Sequence, residues 1–203
     1  MIKKLIMIII PLCAACIIAV FLSGKLKSAV PILEIETEIT AKDFFQLFYN
    51  LGKGFNEKNS TKTNVEPSEE IQRLVFELPK RGVEKIRIDP LTKSGEIKIY
   101  SIEFRLFLFS KKYNPAMIAR EFRPVNHISI FEDKNTYLRI VSTGRDPHFV
   151  FEGFYNYEMM LLRRRNIMAI IAVSLLSAIL TLILIKLIFS LKIFKNGVND
   201  TRP

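Results

Sequence analysis

Two apolar runs bracket this chain, and they limit what everything between them can be. The first, "LIMIIIPLCAACIIAVFL", covers Leu5–Leu22, and the second, "IMAIIAVSLLSAILTLILIKLIF", covers Ile167–Phe189. A helix rises about 1.5 Å per residue, so ~20 apolar residues cross a hydrocarbon core of ~30 Å. Both runs reach roughly that length, and no stretch between them does. They read as two transmembrane α-helices around a water-facing domain. The expected organisation is a tip and first span over residues 1–27, a domain over 28–157, a helix over 158–190 containing the second span, and a short basic tail over 191–203.

A cleaved signal peptide would also follow a basic start such as Met1-Ile2-Lys3-Lys4. The apolar run, however, continues well past the small pair Ala14-Ala15, and a lipoprotein reading through Cys16 fails because "IIAVFL" after it is more membrane core. A retained anchor is the expectation. Pro11 and Lys186 are tolerable inside spans, the first as a kink and the second by snorkelling to headgroups. Ala15, Ala19 and Ser23 recur every four residues, as do Ser174 with Ala178 and Ser177 with Thr181. Small residues at that spacing allow close helix approach, to each other, to a second copy or to a partner membrane protein.

The formal charge of +10 would suggest nucleic acid until it is mapped. Ser28–Tyr157 holds 19 Lys and Arg against 18 Asp and Glu, out of 30 and 20 in the chain, so 11 basic and 2 acidic residues remain beside or within the spans. Lysine and arginine at those places anchor helices to headgroups. The partner indicated is the lipid bilayer; nucleic acid is not. Two spans put both termini on one side. Lys3, Lys4, Lys192, Lys195 and Arg202 flank that side, and Lys25, Lys27 and Arg163–Arg165 flank the other, so charge is balanced. The basic start has the form of a signal anchor, which favours cytoplasmic termini and an exported domain.

Between the spans, alternating and β-branched segments mark strands at Ile32–Thr40, Phe44–Asn50, Ile71–Leu78, Glu84–Asp89, Glu96–Phe109, Val125–Phe131, Tyr137–Ser142 and Phe149–Glu152. The inward-facing parity changes near Tyr100-Ser101, which predicts a bulge or bend in a long strand, and a hairpin is expected over Glu132–Asn135. Asn114–Glu121 alone reads as helix, with Pro115 in its first turn. Many strands and one short helix predict a mainly β fold, a β-sandwich of jelly-roll or carbohydrate-binding-module-like type between the two transmembrane helices.

Chemistry-bearing motifs are few. The loop after the second strand carries Gly52, Lys53, Gly54, Asn56, Glu57 and Asn59. It lacks the spacing and the following helix of a phosphate loop. Lys53, Asn56, Glu57 and Asn59 are candidate ligand contacts, since amides and charges hydrogen-bond sugar hydroxyls; the competing reading is a turn whose glycines supply positive φ. "RIDP" and "RDP" place Arg87 by Asp89 and Arg145 by Asp146. Two carboxylates could serve a hydrolase, but Asp-Pro initiates turns and an adjacent arginine suits a structural salt bridge. His127 and His148 have no metal-ligand spacing, both cysteines lie in the first span, and no nucleophile elbow occurs, so no metal site, cofactor or catalytic residue is expected.

The segments "FYNLGKGFNEKNS", "FELP", "IRIDP", "IKIYSIEF" and "STGRDPHFVF" follow in that order over Phe44–Phe151. This series resembles an extracytoplasmic β-sandwich module that stands beside membrane spans in bacterial proteins of surface-polysaccharide assembly, alongside glycosyltransferases. The resemblance implies a domain on the outer face of the bacterial cytoplasmic membrane that binds glycan or lipid-linked sugar. With so little chain after the second span, a catalytic partner such as a membrane glycosyltransferase would be a separate chain. The function expected is a non-catalytic module that binds glycan or glycolipid or docks on a polysaccharide-assembly enzyme. The alternative is a structural regulator of polysaccharide chain length or another accessory subunit. Regulators of that kind carry helical external domains. Circular dichroism of the inter-span segment is therefore expected to be strand-dominated, and a helix-dominated spectrum would favour the regulator.

Overall fold

The structure, a computed structural model, describes the backbone of residues 2–153 and 155–199, and side chains between 7 and 190 apart from residue 154. The last four residues of the expected basic tail lie outside the described residues. The chain divides into two compact units, Ala29–Arg164 and the two terminal segments Met1–Ser28 with Arg165–Pro203.

The terminal unit is helical. α1 covers Ile2–Ser28 and α3 covers Tyr155–Asn199. Both contain a stretch long and apolar enough to cross a membrane, Met7–Ser28 in α1 and Tyr155–Ser190 in α3. Ala15, Ala19 and Ser23 line a common groove with Ile167, Ile170 and Ser174. Of the small-residue pairs of α3, Ser174 alone lines this groove; the rest of the α3 side is Ile167, Ile170, Ile171 and Leu175. Ser174 Oγ donates to the Ile170 carbonyl at 2.7 Å and Thr181 Oγ1 to the Ser177 carbonyl at 2.8 Å, which satisfies both hydroxyls inside their own helix.

The central unit is built on two antiparallel sheets. Its strands are β1 (Ile32–Ile39), β2 (Asp43–Asn50), β3 (Ser60–Val65), β4 (Ser68–Glu77), β5 (Lys85–Asp89), β6 (Gly95–Leu106), β7 (Phe109–Tyr113), β8 (Phe122–Asn126), β9 (Ile128–Asp133), β10 (Leu138–Ser142) and β11 (His148–Phe151). Sheet A has the order β4-β1-β6-β10-β9 with β7 also paired to β6, and sheet B has the order β3-β2-β5-β11-β8. The short helix α2, Pro115–Glu121, is capped by the Asn114 side chain, which accepts from the Met117 N–H at 2.9 Å.

The inner faces meet through aromatic side chains. Phe45 of sheet B lies 5.9 Å from Phe76 of sheet A between ring centroids, Phe149 lies 5.6 Å from Phe131, and Phe151 lies 5.4 Å from Phe104. Phe104 also touches Tyr113 and Tyr155 edge-on. Each buried ring contributes about 1.5–3 kcal/mol by leaving water, and each favourable ring pair about 0.5–1.5 more. Tyr155 belongs to the first turn of α3, and Lys111 Nζ binds Glu158 Oε1 at 2.5 Å. The opening turns of α3 are therefore part of the domain, whose edge lies at Arg164 rather than at Tyr157.

The bulge occurs where the change of parity places it. Glu36 of β1 faces Ser101, and Thr37 faces Ile99, so Tyr100 is the extra residue in β6. Before it Ile97 and Ile99 point inward, and after it Ile102, Phe104 and Leu106 do; all five are buried. The outer face of sheet A is a ladder of charges centred on β1. Glu34 binds Arg73 and Arg105, Glu36 binds Lys112, Glu38 binds Lys98, and Glu96 binds Arg139.

Three departures from the sequence reading share a physical theme. The strand expected over Glu96–Phe109 ends at Leu106, because Phe107 takes a left-handed φ of 55° and turns the chain into β7. A two-residue turn made of Phe and Leu carries none of the Asn-Gly signal that marks such hairpins. The strand expected over Val125–Phe131 is two strands, β8 in sheet B and β9 in sheet A, with His127 (φ 45°) at the crossing. A side chain at Gly144 would collide with the His127 ring, at 2.6 Å from Nδ1. β3 escapes detection because "STKTNV" is a polar edge strand with no apolar alternation.

The glutamate ladder generates a pH dependence. Hydrogen bonds from Ser101 and Lys112 hold the Glu36 carboxyl below its ordinary value, those from Lys98 and Tyr100 do the same for Glu38, and one from Arg139 does so for Glu96. Depressed carboxyl groups stabilise the fold fully above the unfolded value near 4.5, and that stability is lost as pH falls through the lowered folded values. Thermal unfolding of the domain is expected to hold constant between pH 7 and 5 and to fall below about pH 4.5. Glu38→Gln is expected to lower the melting temperature at pH 7 and to make the acid decline shallower.

Candidate functional site on the outer face of sheet B

Alternation in two neighbouring strands creates the site. In β2, Phe45 and Leu47 point into the core and Phe44, Gln46 and Phe48 point away. In β5, Ile86 and Ile88 point in, and Arg87 and Asp89 point away. The register sets Gln46 beside Asp89 and Phe48 beside Arg87, so an aromatic and amide row lies against a charged row. Arg87 stacks on the Phe48 ring with its guanidinium carbon 4.9 Å from the centroid.

The glycine loop folds back over this face. The Asn50 side-chain carbonyl accepts from the N–H groups of Gly52 and Gly54, both at 2.8 Å. Those two glycines have φ of 90° and 80°, which the turn requires. Their amides are engaged inside the loop, and this is why Gly52-Lys53-Gly54 is a turn and not an anion cradle. The chain then runs through Phe55 into a 3-10 turn, Glu57–Asn59, capped by Asn56, whose Oδ1 accepts from the Asn59 N–H at 3.2 Å. Gln46 Nε2 donates to Glu57 Oε2 at 2.9 Å and fixes the loop to the sheet. On the opposite rim Asp43 accepts from Thr92 N–H and Oγ1, at 2.9 and 2.6 Å, and so holds the connection between β5 and β6.

The result is a cleft of ≈ 450 Å³. Its apolar surface comes from Phe44, Phe48, Phe55 and Leu91, and its polar surface from Gln46, Asn56, Glu57, Arg87, Asp89, Thr92 and Asp146. Phe44 is 48% exposed, which is unusual for a phenylalanine in a sheet and leaves its ring available.

Both Asp-Pro motifs converge here. Arg87 donates from Nε to Asp89 Oδ1 at 2.7 Å and from Nη2 to Asp89 Oδ2 at 2.5 Å. The same Nη2 binds Asp146. Burial pushes the Asp89 carboxyl above the ordinary aspartate range, against the pull of Arg87. Burial also works against the charge on Arg87, but its bonds to Asp89 and the nearby Asp146 more than offset this and raise it. Asp146 sits at φ 61°, a left-handed conformation that aspartate tolerates better than most residues and that brings its carboxylate over β5.

Of the candidates from sequence, the structure brings together Asn56, Glu57, Arg87, Asp89 and Asp146. Lys53 and Asn59 do not line the cleft. The partner expected for Asp146 was Arg145; the structure gives it Arg87 instead, and Arg145 stands exposed outside the cleft. Sequence reasoning missed that Phe44, Gln46 and Phe48 face away from the core, Phe44 exposed and Phe48 covered to 6% exposure beneath Arg87. An alternating aromatic run looks the same whichever parity faces the core, and only pairing with β5 settles it. Among the described residues no group of three or more His, Cys, Asp or Glu is placed to hold a metal ion. Comparison with family models, with curated proteins and with solved structures returns no match.

The Arg87 knot gives a stability prediction. Removing one partner of a buried ion pair leaves an uncompensated charge and costs about 3 kcal/mol or more. Arg87→Ala is expected to lose about that much at neutral pH. A carboxyl raised further by the loss of Arg87 penalises the fold only where the unfolded chain would be ionised, so the deficit shrinks as pH falls below about 4. Denaturant unfolding at pH 7 and pH 3.5 checks both parts.

Proposed function

We propose that this chain is a non-catalytic, two-span membrane protein whose β-sandwich binds a glycan or glycolipid through the outer-face cleft of sheet B. The observation that carries the reading is the make-up of that cleft. Phenylalanine rings stand beside amide, carboxylate and guanidinium groups on a rigid sheet. Sugars present C–H faces that lie on aromatic rings and rims of hydroxyls that take paired donors and acceptors, so such a lining suits them. Phe44 would provide the platform, with Asn56 and Glu57 from the loop and Asp89 and Asp146 from the knot contacting hydroxyls. Arg87 is already bound to two carboxylates and would act by holding them. That engagement also argues against the hydrolase reading, in which one carboxyl must be released to transfer a proton.

The finer fold reading, a sandwich of the jelly-roll or carbohydrate-binding-module type, belongs to the same proposal, as does a place in bacterial surface-polysaccharide assembly. There the domain would face outward from the cytoplasmic membrane with both termini inside. Tethering by two helices would hold the cleft at high effective concentration beside lipid-linked sugars or a membrane glycosyltransferase. The runner-up remains an accessory subunit that regulates chain length through protein contacts alone.

Glycan-array screening followed by calorimetry on the full chain in nanodiscs tests the reading. Saccharide binding is expected, with Phe44→Ala and Asn56→Ala each weakening it about ten-fold or more, since a stacking or hydrogen-bonding contact contributes roughly 1–2 kcal/mol. Absence of binding to every saccharide, with a protein partner captured through the same face, would replace it with the accessory-subunit reading.

A further inference from the structure

The chain leaves α1 at Ser28 and enters β1 at Ile32, and sheet register determines what surrounds that point. Ile32 pairs with Glu77 on one side and with Arg105 on the other. The Leu78 N–H donates to the Pro31 carbonyl at 2.9 Å. The loop following β4 and the turn following β6 therefore lie beside the first residues of β1. The opening turns of α3 complete a recess of ≈ 230 Å³ at the same end of the domain.

The lining of this recess has two chemistries. Lys80 and Arg81 come from the loop and Arg163 from α3, and no carboxylate lines it. Among the described residues neither Arg81 nor Arg163 forms an ion pair, although Arg73, Arg87, Arg105 and Arg139 of the same domain each hold a carboxylate. The walls are apolar: Pro31 and Leu106 are buried beneath, and Met159 and Met160 supply flexible thioethers. Leu108, at the tip of the turn after Leu106, is 58% exposed. Arg163 precedes the apolar run at Ile167 by about one helical turn, ~6 Å.

We propose that this recess binds the phosphate headgroup of an anionic membrane lipid. Cations at its mouth match the phosphate, and the methionine and leucine walls match the glycerol and first acyl carbons. In the chain itself, Ala29 of the recess follows directly on Ser28, the last residue of α1, and Arg163 belongs to α3, the helix that carries the second run. A soluble phosphate would use the cations and leave the apolar wall uncovered. The site is separate from the sheet B cleft and does not depend on the glycan reading.

Native mass spectrometry of the full chain, released from membranes containing phosphatidylglycerol and phosphatidylcholine, reads the site directly. The wild-type protein is expected to retain phosphatidylglycerol in preference. The variant Lys80→Gln/Arg81→Gln/Arg163→Gln is expected to lose that preference, by about five-fold for each cation removed. A control with the same charge change elsewhere, Lys58→Gln/Lys62→Gln/Arg145→Gln, is expected to keep it. Arg81→Gln alone, at an exposed loop position, gives the single-cation loss without risk to folding. Equal retention of both lipids by the wild type, an equal loss in the control, or displacement of the lipid by inorganic phosphate overturns the proposal. Glycan binding at the cleft, measured in the same variants, is expected to be unchanged.

Discussion

The pairing of β1 with β6 carries the rest of the domain. β6 is the longest strand, and its two halves have opposite parity in the sequence. A regular strand would expose either Ile97 and Ile99 or Ile102 and Phe104. With Tyr100 as the extra residue, both halves face the core, and the outward residues on either side of the bulge meet the glutamates of β1. Burial on one face and charge pairing on the other thus depend on a single inserted residue. Sheet A then recruits β4, β10 and β7 along its edges, and its inner face offers Phe76, Phe104 and Phe131 to sheet B.

The two outer faces of the sheets differ in make-up. On sheet A the charges are mutually satisfied: Glu34 is nearly buried and takes two arginines, and Glu36, Glu38 and Glu96 each have a cation. That face presents charges paired with one another. On sheet B the polar groups stand beside the uncovered ring of Phe44, and the loop held by Asn50 forms a wall instead of a lid. This asymmetry is the physical reason for proposing the sheet B cleft as the recognition site.

The site was legible in pieces. Asn56, Glu57, Arg87, Asp89 and Asp146 each stood out as a loop polar group or as part of an Asp-Pro motif. Nothing in their spacing shows that Arg87 takes both aspartates, because Asp146 lies 59 positions away and reaches it only through the pairing of β11 with β5. The helix at Pro115 and the strands with clear alternation were legible for the opposite reason. Their signals are local: a capping Asn before a Pro, or a period of two with a buried face. The turn at Phe107 and the crossing at His127 were not, since bulky residues in left-handed conformations give no compositional sign.

Sequence by itself determined the two apolar helices, the β character of the segment between them, the near-balance of charge in that segment and the place where the parity of β6 changes. Each of these follows from length, composition or a periodicity carried by neighbouring residues. Tertiary structure alone decided which parity of "FFQLFYN" faces water, which arginine serves Asp146, and that the opening turns of α3 belong to the domain. It also decided that Lys80, Arg81 and Arg163 share one recess. Those facts depend on contacts between residues far apart in the chain, and such contacts are chosen by the packing of the whole.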